Sequence, residues 1–487
     1  MDISRCSKLL LISLLLVLVF SCKKEETILT DSSSKLTFST ELVAFDTVFT
    51  TISSSTRQLM VYNPYSQKVK ISSIRLASNQ SYFSLNINGS ATNSLTDVEI
   101  DAKDSLFIFI KANINPNNTN NPVLITDSIL FEMNGKIQDV DLVACGQDAH
   151  FIVADHRVNG LPPYKIVAGV GENKTWLNDK PYVIYGYAVV DSTASLTINE
   201  GCKIYMHKNS GMWIYKGGNL KVMGVRTNPV VFQGDRREAW YADVAGQWDR
   251  IWINEGSVDN EINYAILKNG FIGIQAETLD ASMGNKLILN NTVIKNMSGV
   301  GILAKKYVIE AGNNEISNCG QYAVALTGGG NYSFIHNTIS NQWAGTTRST
   351  PSVYINNYIE TVDATYISNL LATFGNTIIT GNLGDELLID EKGGTSATFS
   401  TTFDHCLIKT NLNIPSFVGC IRNSDPIFKS LSDGNFNITS SSPVRDAGNS
   451  TFGSLYPLDI NEFSRDGNPD IGAYEYNPSA TKGAKRR

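Results

Sequence analysis

Asn291-Thr292-Val293-Ile294-Lys295-Asn296 returns along this chain as Asn314-Glu315-Ile316-Ser317-Asn318, as Asn337-Thr338-Ile339-Ser340-Asn341 and as Asn376-Thr377-Ile378-Ile379. Ile294, Ile316 and Ile339 are 22 and 23 residues apart. Between copies lies a second apolar run, as in Gly270-Phe271-Ile272-Gly273-Ile274, Gly299-Val300-Gly301-Ile302-Leu303 and Ala323-Val324-Ala325-Leu326. Short β-runs at such a period, punctuated by Asn and Gly, are the signature of a solenoid. A leucine-rich repeat would need a leucine and asparagine ladder with a helical segment per repeat, and that ladder is missing. A parallel coil of three short strands fits instead. Its Ile, Val and Leu point inward, and Asn occupies the tight corners, tolerating left-handed backbone and bonding its counterpart one coil away.

The pattern extends upstream through Ser195-Leu196-Thr197-Ile198-Asn199-Glu200-Gly201-Cys202-Lys203-Ile204, Gly218-Asn219-Leu220-Lys221-Val222 and Asn228-Pro229-Val230-Val231-Phe232 to Trp248-Asp249-Arg250-Ile251-Trp252-Ile253. This succession resembles the early coils of right-handed parallel β-helix proteins of the pectin-lyase-like fold, over residues 168–423. Downstream, Asp425-Pro426-Ile427-Phe428, Ser442-Pro443-Val444-Arg445-Asp446-Ala447-Gly448 and Pro469-Asp470-Ile471-Gly472-Ala473-Tyr474-Glu475-Tyr476 resemble the choice-of-anchor Q-like segment that follows many bacterial β-helices. Residues 424–476 are therefore expected to close the last coil, whose strand edges would otherwise be unpaired. The polar residues 477–487 read as a disordered tail.

Residues 36–148 carry another pattern. Val69-Lys70-Ile71, Ile74-Arg75-Leu76, Leu106 to Ile110, Ile129-Leu130-Phe131 and Val140 to Val143 have strand length, with Asn63-Pro64, Asn88-Gly89 and Asn134-Gly135 as turn chemistry. About seven strands in this span predict a β-sandwich. The run from Thr56 through Tyr62-Asn63-Pro64 to Leu76, with a late strand ending at Cys145-Gly146, resembles immunoglobulin-like domains of the Hydin-related type. The fold expected is thus all-β: an immunoglobulin-like sandwich, a linker over 149–167, then the β-helix.

At the N-terminus, Arg5 and Lys8 precede an apolar run from Leu9 to Phe20, then Ser21 and Cys22. The run is shorter than the roughly 20 residues a bilayer span requires, so residues 1–21 read as a signal peptide. Ser21 before Cys22, after Val19 and Phe20, resembles a bacterial lipobox, which implies diacylation of Cys22 and a membrane partner. Lys23-Lys24-Glu25-Glu26 resembles the export signal of Bacteroidetes surface lipoproteins, implying an outer-membrane, lipid-anchored and surface-exposed location. Residues 22–35, with three consecutive serines, read as a flexible tether.

Of 487 residues, 42% are apolar and 18% charged, and Asn occurs 47 times beside 38 Gly. That balance excludes a coiled coil or long helical bundle. A net charge of −6, with no basic cluster outside the termini, argues against nucleic acid. The cysteines after Cys22 are Cys145, Cys202, Cys319, Cys406 and Cys420, without CxxC spacing, so at most two disulfides are expected and most of these residues read as buried thiols. The five histidines show no metal-ligand spacing, and neither metal nor cofactor is expected. The oxygen-rich run Asp459, Asn461, Glu462, Asp466, Asn468, Asp470 does not meet the EF-hand pattern and reads as turn-forming.

The polygalacturonase-like Asp-Asp pair and Gly-His-Gly are absent. Asp404, His405 and Cys406 are successive strand residues that cannot converge on one substrate. The segment Asp235-Arg236-Arg237-Glu238-Ala239-Trp240-Tyr241-Ala242-Asp243, with Trp248, Asp249, Arg250 and Trp252, gathers three of six tryptophans with arginines and carboxylates. Aromatic faces stack on sugars while Arg and Asp bond hydroxyls or uronates, so Asp235, Arg236, Arg237, Trp240, Tyr241, Asp243, Trp248 and Arg250 are the candidate glycan-binding residues, against the alternative that they pack a coil and a solvated loop. The expectation is a monomeric, noncatalytic envelope lipoprotein whose β-helix binds glycan or another surface macromolecule. A polysaccharide lyase or glycoside hydrolase is the alternative, and a structural stalk or adhesin the third reading.

Overall fold

The computed structural model describes residues 27–49, 54–79, 81–114, 123–279, 286–394 and 396–478. The leader, Cys22 and most of the tail lie outside these. Among the described residues no helix is long and apolar enough to cross a membrane. The chain is all-β and divides into two compact units, one ending at Asp148 and the other beginning at Ala149.

The N-terminal unit holds two five-stranded sheets. In one, Arg57–Tyr62 and Phe83–Ile87 both pair antiparallel with Ser105–Ala112. In the other, Val69–Leu76 pairs with Val123–Met133, which pairs with Lys136–Gln147, and that last strand also runs parallel to Leu42–Phe49. Alternation buries one face of each strand, so Leu59, Val61, Ile71, Ile108, Ile129 and Leu142 share one core. Asn88-Gly89 and Asn134-Gly135 each bridge a hairpin as two-residue loops, at φ 48° and 91° and at 51° and 73°. These values belong to the type I′ turn, which suits the twist of the flanking strands. The expected tether is not free along its described part: Leu29 N donates to Lys68 O at 2.8 Å, and Asn134 Nδ2 donates to Leu29 O and Asp31 O.

The second unit consists of parallel coils, three strands to a coil. One strand of each joins an 11-stranded lateral sheet, and the other two join a 17-stranded sheet that runs as two parallel ladders. In the lateral sheet Ile266 faces Val293, Val293 faces Glu315, Glu315 faces Thr338, and Thr338 faces Ile378. The first coil begins earlier than the sequence indicated. His150–Val153 already pairs with Tyr182–Tyr185, and Tyr164–Ala168 with Tyr187–Val190, so the expected linker 149–167 is part of the solenoid. Its strands are short and separated by Pro162-Pro163, which hides their period.

The corner entering the lateral sheet explains the asparagine repeat. Asn291, Asn313, His336, Asn376 and His405 occupy one position on successive coils, all at φ between 45° and 55°. The next residue in each coil, Thr292, Asn314, Asn337, Thr377 or Cys406, is fully buried. These residues bond from rung to rung: Asn314 Oδ1 accepts from Thr292 N at 2.9 Å, Asn337 Oδ1 from Asn314 N at 3.0 Å, and Thr377 Oγ1 from Asn337 N at 3.2 Å. Asn296 and Asn318 make the opposite corner of the strand, at φ 56° and 53°. The interior between corners is aliphatic, with a stack of Phe334, Phe374 and Phe403 at centroid spacings of 5.1 and 5.0 Å.

The segment 424–476 does not simply cover the final coil. Its Phe436, Ile460, Ala473 and Tyr474 pack on Ile266 and Val293, and its Ile438, Val444 and Ile471 pack on Ile378 and Leu407. It therefore runs along the outer face of the lateral sheet, whose outward residues are apolar. The corner column receives it. Asn313 Nδ2 donates to Leu458 O, Arg465 Nη2 donates to Asn313 Oδ1, His336 Nδ1 donates to Gly472 O, and Asn376 bonds both backbone groups of Asn449.

Candidate functional site

Ile184, Met206 and Gly234 lie on successive rungs of the lateral sheet, so the residues that follow them, Tyr185, His207 and Asp235, form a column where the chain leaves that sheet. The Tyr185 ring stacks on His207 at 4.6 Å. Asp235 accepts from His207 Nδ1 at 2.8 Å and from the Tyr185 hydroxyl at 3.4 Å. Burial, then the Asp235 charge, pushes the Tyr185 phenol well above its ordinary range, so it stays a proton donor.

From Asp235 a loop leads to the first ladder of the 17-stranded sheet, the one that holds Tyr187–Val190, Gly211–Ile214, Ile251–Ile253 and Ile272–Glu277, and the loop is braced throughout. Arg236 makes a forked contact with Glu238, with Nη2 2.8 Å from Oε1, and its guanidinium lies 4.0 Å over the Tyr241 ring. The Glu238 hydrogen bond raises the Arg236 pKa further above its usual value. Arg237 stands 5.1 Å over the Tyr205 ring. Gln247 Nε2 donates to Tyr241 O and Val244 O, and Asn269 Nδ2 donates to Ala242 O. On this frame a single 3-10 turn, Ala239–Tyr241, carries Trp240 outward, 59% exposed.

Five of the candidate residues, Asp235, Arg236, Arg237, Trp240 and Tyr241, thus gather at one corner. Asp243 lies farther along the loop, 3.4 Å from Asn296 Nδ2. Trp248 is a correction: it is 1% exposed, packs in the solenoid core and donates its indole N–H to Lys268 O at 2.8 Å, so no ligand reaches it. Arg250 belongs to another surface, the outer face of the first ladder.

On that face Trp213 and Trp252 are register partners whose rings stack at 5.1 Å and 16°. Trp252 Nε1 donates to Glu277 Oε1 at 2.7 Å, Gln275 Nε2 donates to Glu277 Oε2 at 3.0 Å, and Arg250 bonds both Gln275 and Asp249. The Tyr187 hydroxyl donates to Asp249. The two indoles spend a ring face on each other, and Trp213 is only 7% exposed, packed beside Tyr187, Val189 and Tyr164, so they are weaker sugar platforms than their composition implied. The arrangement is a chain of donors and acceptors, Tyr187, Asp249, Arg250, Gln275, Glu277 and Trp252, extending over four rungs.

Sequence reading missed Tyr185, Tyr205 and His207 at the corner, and Tyr187, Trp213, Gln275 and Glu277 on the ladder. The coil period was the available signal for His207, 28 residues before Asp235, and for Gln275 and Glu277, 25 residues after Arg250 and Trp252 respectively, whereas Tyr185 and Tyr187 lie two coils away and Trp213 is cut off by the long loop. Elsewhere, Asp404 and His405 pair with each other while Cys406 faces the core, so these three do not converge. Asp459 accepts from the backbone of Asn461, Phe463 and Glu475, and Asp470 from that of Asp446 and Tyr476, which makes these carboxylates turn-forming caps. Among the described residues no cluster of three or more His, Cys, Asp or Glu is placed to hold a metal ion.

No protein-family model matches the chain, and no curated protein matches it. Among solved structures, a family 123 glycoside hydrolase from Clostridium perfringens, described for glycolipid glycan hydrolysis, aligns over 30% of this chain and 30% of its own, at 11% identity and a TM-score of 0.17. A likeness that slight carries no inference about fold or activity.

Proposed function

We propose that this chain is a cell-envelope lipoprotein, anchored to the outer membrane through Cys22 and surface-exposed, whose right-handed parallel β-helix binds glycan at the 235–243 corner without cleaving it. The N-terminal unit then serves as an immunoglobulin-like spacer. The carrying observation is Trp240, a large ring held out to solvent by a loop whose neighbouring charges are already paired within it. A ring carried on a braced loop stacks on a sugar at reduced ordering cost, and the polar groups of the same corner, Asp235, His207 and Arg237, suit sugar hydroxyls. A right-handed winding is the reading we adopt because L-residue twist favours right-handed connections between parallel strands of one sheet, and the rungs pair in parallel.

The noncatalytic reading is supported by the state of the carboxylates: Asp235, Glu238 and Asp249 each accept hydrogen bonds from a neighbouring His, Arg or Tyr. A glycan array with the soluble form starting at Lys23 tests it. Binding of extended glycans that is lost in Trp240→Ala is the expected result; a blank array overturns the reading in favour of a stalk or adhesin. Replacing Cys22 by Ala is expected to release the protein from membranes, and its retention there would remove the anchor.

A second reading, a polysaccharide lyase or glycoside hydrolase of the pectin-lyase-like fold, draws on the Tyr187, Asp249, Arg250 and Glu277 set on the first ladder, where carboxylates and a guanidinium share one face. Release of new reducing ends or unsaturated products from acidic or neutral polysaccharides, abolished by Arg250→Ala at an unchanged Tm, would establish it.

A further inference from the structure

We propose that Cys406 and Cys420 are joined by a disulfide bond that fastens the last coil of the lateral sheet to the coil before it. Leu407 and Ile421 are register partners in the last parallel pairing of that sheet, so the cysteines immediately before them lie one above the other. The backbone confirms the alignment, since Ile421 N donates to Cys406 O at 2.9 Å. Both thiols turn to the same side: Cys406 is part of the solenoid core, and Cys420 packs against it. Leu407 and Ile421 turn the other way, toward the C-terminal segment. Neighbouring parallel strands are about 4.8 Å apart, inside the Cα separation of roughly 4.4–6.8 Å that a disulfide spans. Both cysteines are free thiols here, and their side chains interact directly with each other.

The position explains why a covalent link belongs there. The same row on earlier coils holds Thr292, Asn314, Asn337 and Thr377, joined from one rung to the next by three hydrogen bonds. At the end of the row, Leu407–Ile408 and Ile421–Arg422 are only two residues long, too short for much ladder bonding. Two cysteines continue the row at the place where the sheet is about to end.

The two thiols are unequal. Cys406 is fully buried, and burial pushes its pKa well up. Cys420 is half-buried, and hydrogen bonding from Cys406 draws its thiol down to about 7. Cys420 is therefore the attacking group. Its thiolate, having given its proton to solvent, attacks one sulfur of an external low-molecular-weight disulfide and expels the first external thiolate. Cys406 then loses its proton, attacks the Cys420 sulfur and expels the second. Two protein thiols are oxidised to one disulfide, and one external disulfide is reduced to two thiols.

The test exposes the folded full-length chain to oxidised glutathione, quenches with acid, alkylates under denaturing conditions and maps the peptides. The expected product is a peptide pair linked through Cys406 and Cys420, and a Tm higher by about 4 °C, reversed by dithiothreitol, as a loop of about 15 residues closed in a unit this long implies. Cys420→Ser should give neither the linked pair nor the Tm response. Alkylation of both residues after oxidation, or either one found joined to glutathione or to another cysteine, overturns the proposal.

Discussion

Asn337 is the centre of the rung-to-rung polar row, and removing its amide should cost as much as truncating a buried aliphatic side chain. Its Oδ1 accepts from Asn314 N and from Asn314 Nδ2, at 3.0 and 2.9 Å, and its Nδ2 donates to Ala311 O and Ile335 O at 3.0 and 3.2 Å. Both asparagines are fully buried, so water cannot replace what is lost. Asn337→Ala leaves the Asn314 backbone N–H without its acceptor and takes one partner from two carbonyls. At about 1–3 kcal/mol for a stranded buried group, and less for a carbonyl that loses one of two partners, the total is about 3–4 kcal/mol. For a cooperative unit of this length that corresponds to a Tm lower by about 5 °C, read by differential scanning calorimetry at a fixed scan rate. Asn291→Ala supplies the contrast. It keeps the buried row but leaves an alanine at φ 52°, and it loses the half-buried amide's bonds with Asn263 and Asn313. Its cost should be smaller, about 1–2 kcal/mol. If Asn337→Ala lowers Tm by less than Asn291→Ala does, the buried row is not what fixes the register of the coils.

Three further outcomes follow from the same geometry. Burial, reinforced by the charge of Arg465, holds the His336 imidazole well below its usual range, so the unfolded chain takes up that proton first as pH falls. Stability present above about pH 6.5 is therefore lost on acidification toward the folded pKa, by up to about 1.4 kcal/mol per pH unit, and His336→Asn, which suits the left-handed corner, should flatten that part of the Tm profile; parallel profiles would refute this. Arg348 and Glu386 form an ion pair with side chains 1% and 0% exposed, Nη2 to Oε1 2.6 Å, and Glu386→Leu should cost about 3–5 kcal/mol in unfolding experiments, while the double change with Arg348→Met recovers only part of it, because Ser352 N and Leu383 N still lose the acceptor Glu386 provides. Trp240→Ala should leave Tm within about 1 °C, as a half-exposed loop ring contributes little to the core, whereas Trp248→Ala should cost about 3–5 kcal/mol; equal thermal losses would mean that the loop and the coil interior had been misassigned.

The solenoid could be read from sequence because its two corners use residues with a chemical reason to be there. Asn at 291, 296, 313 and 318 takes the left-handed backbone that a tight corner requires, and the amides of 291, 296 and 313 bond neighbouring rungs, so the repeat in the letters is the repeat in space. The first coil escaped notice because Pro162-Pro163 and a long connection separate its strands, and no corner asparagine marks it. The C-terminal segment was expected at the end of the rod because an open end is an evident liability. The outer face of the lateral sheet was an equal one, since Ile266, Val293, Ile378 and Leu407 point outward and need cover.

The candidate site was legible only as a composition. In Trp248-Asp249-Arg250-Ile251-Trp252 the two tryptophans look equivalent, but Ile251 and Ile253 point inward and so turn Trp252 out, while Trp248 sits before the strand, where its ring drops into the core. The partner of Trp252 is Trp213, separated in sequence by the whole loop that carries Trp240, so local spacing could not join them. The same loop dissociates the two surfaces. Because Arg236 is committed to Glu238 and Arg250 to Asp249 and Gln275, mutating either arginine perturbs structure along with any ligand contact. Trp240 is the residue whose removal separates the two effects: a change that abolishes glycan capture while leaving Tm in place places recognition at the corner, and a change that leaves both capture and Tm in place moves the search to the first ladder, where Arg250, Gln275 and Glu277 form the next continuous polar surface.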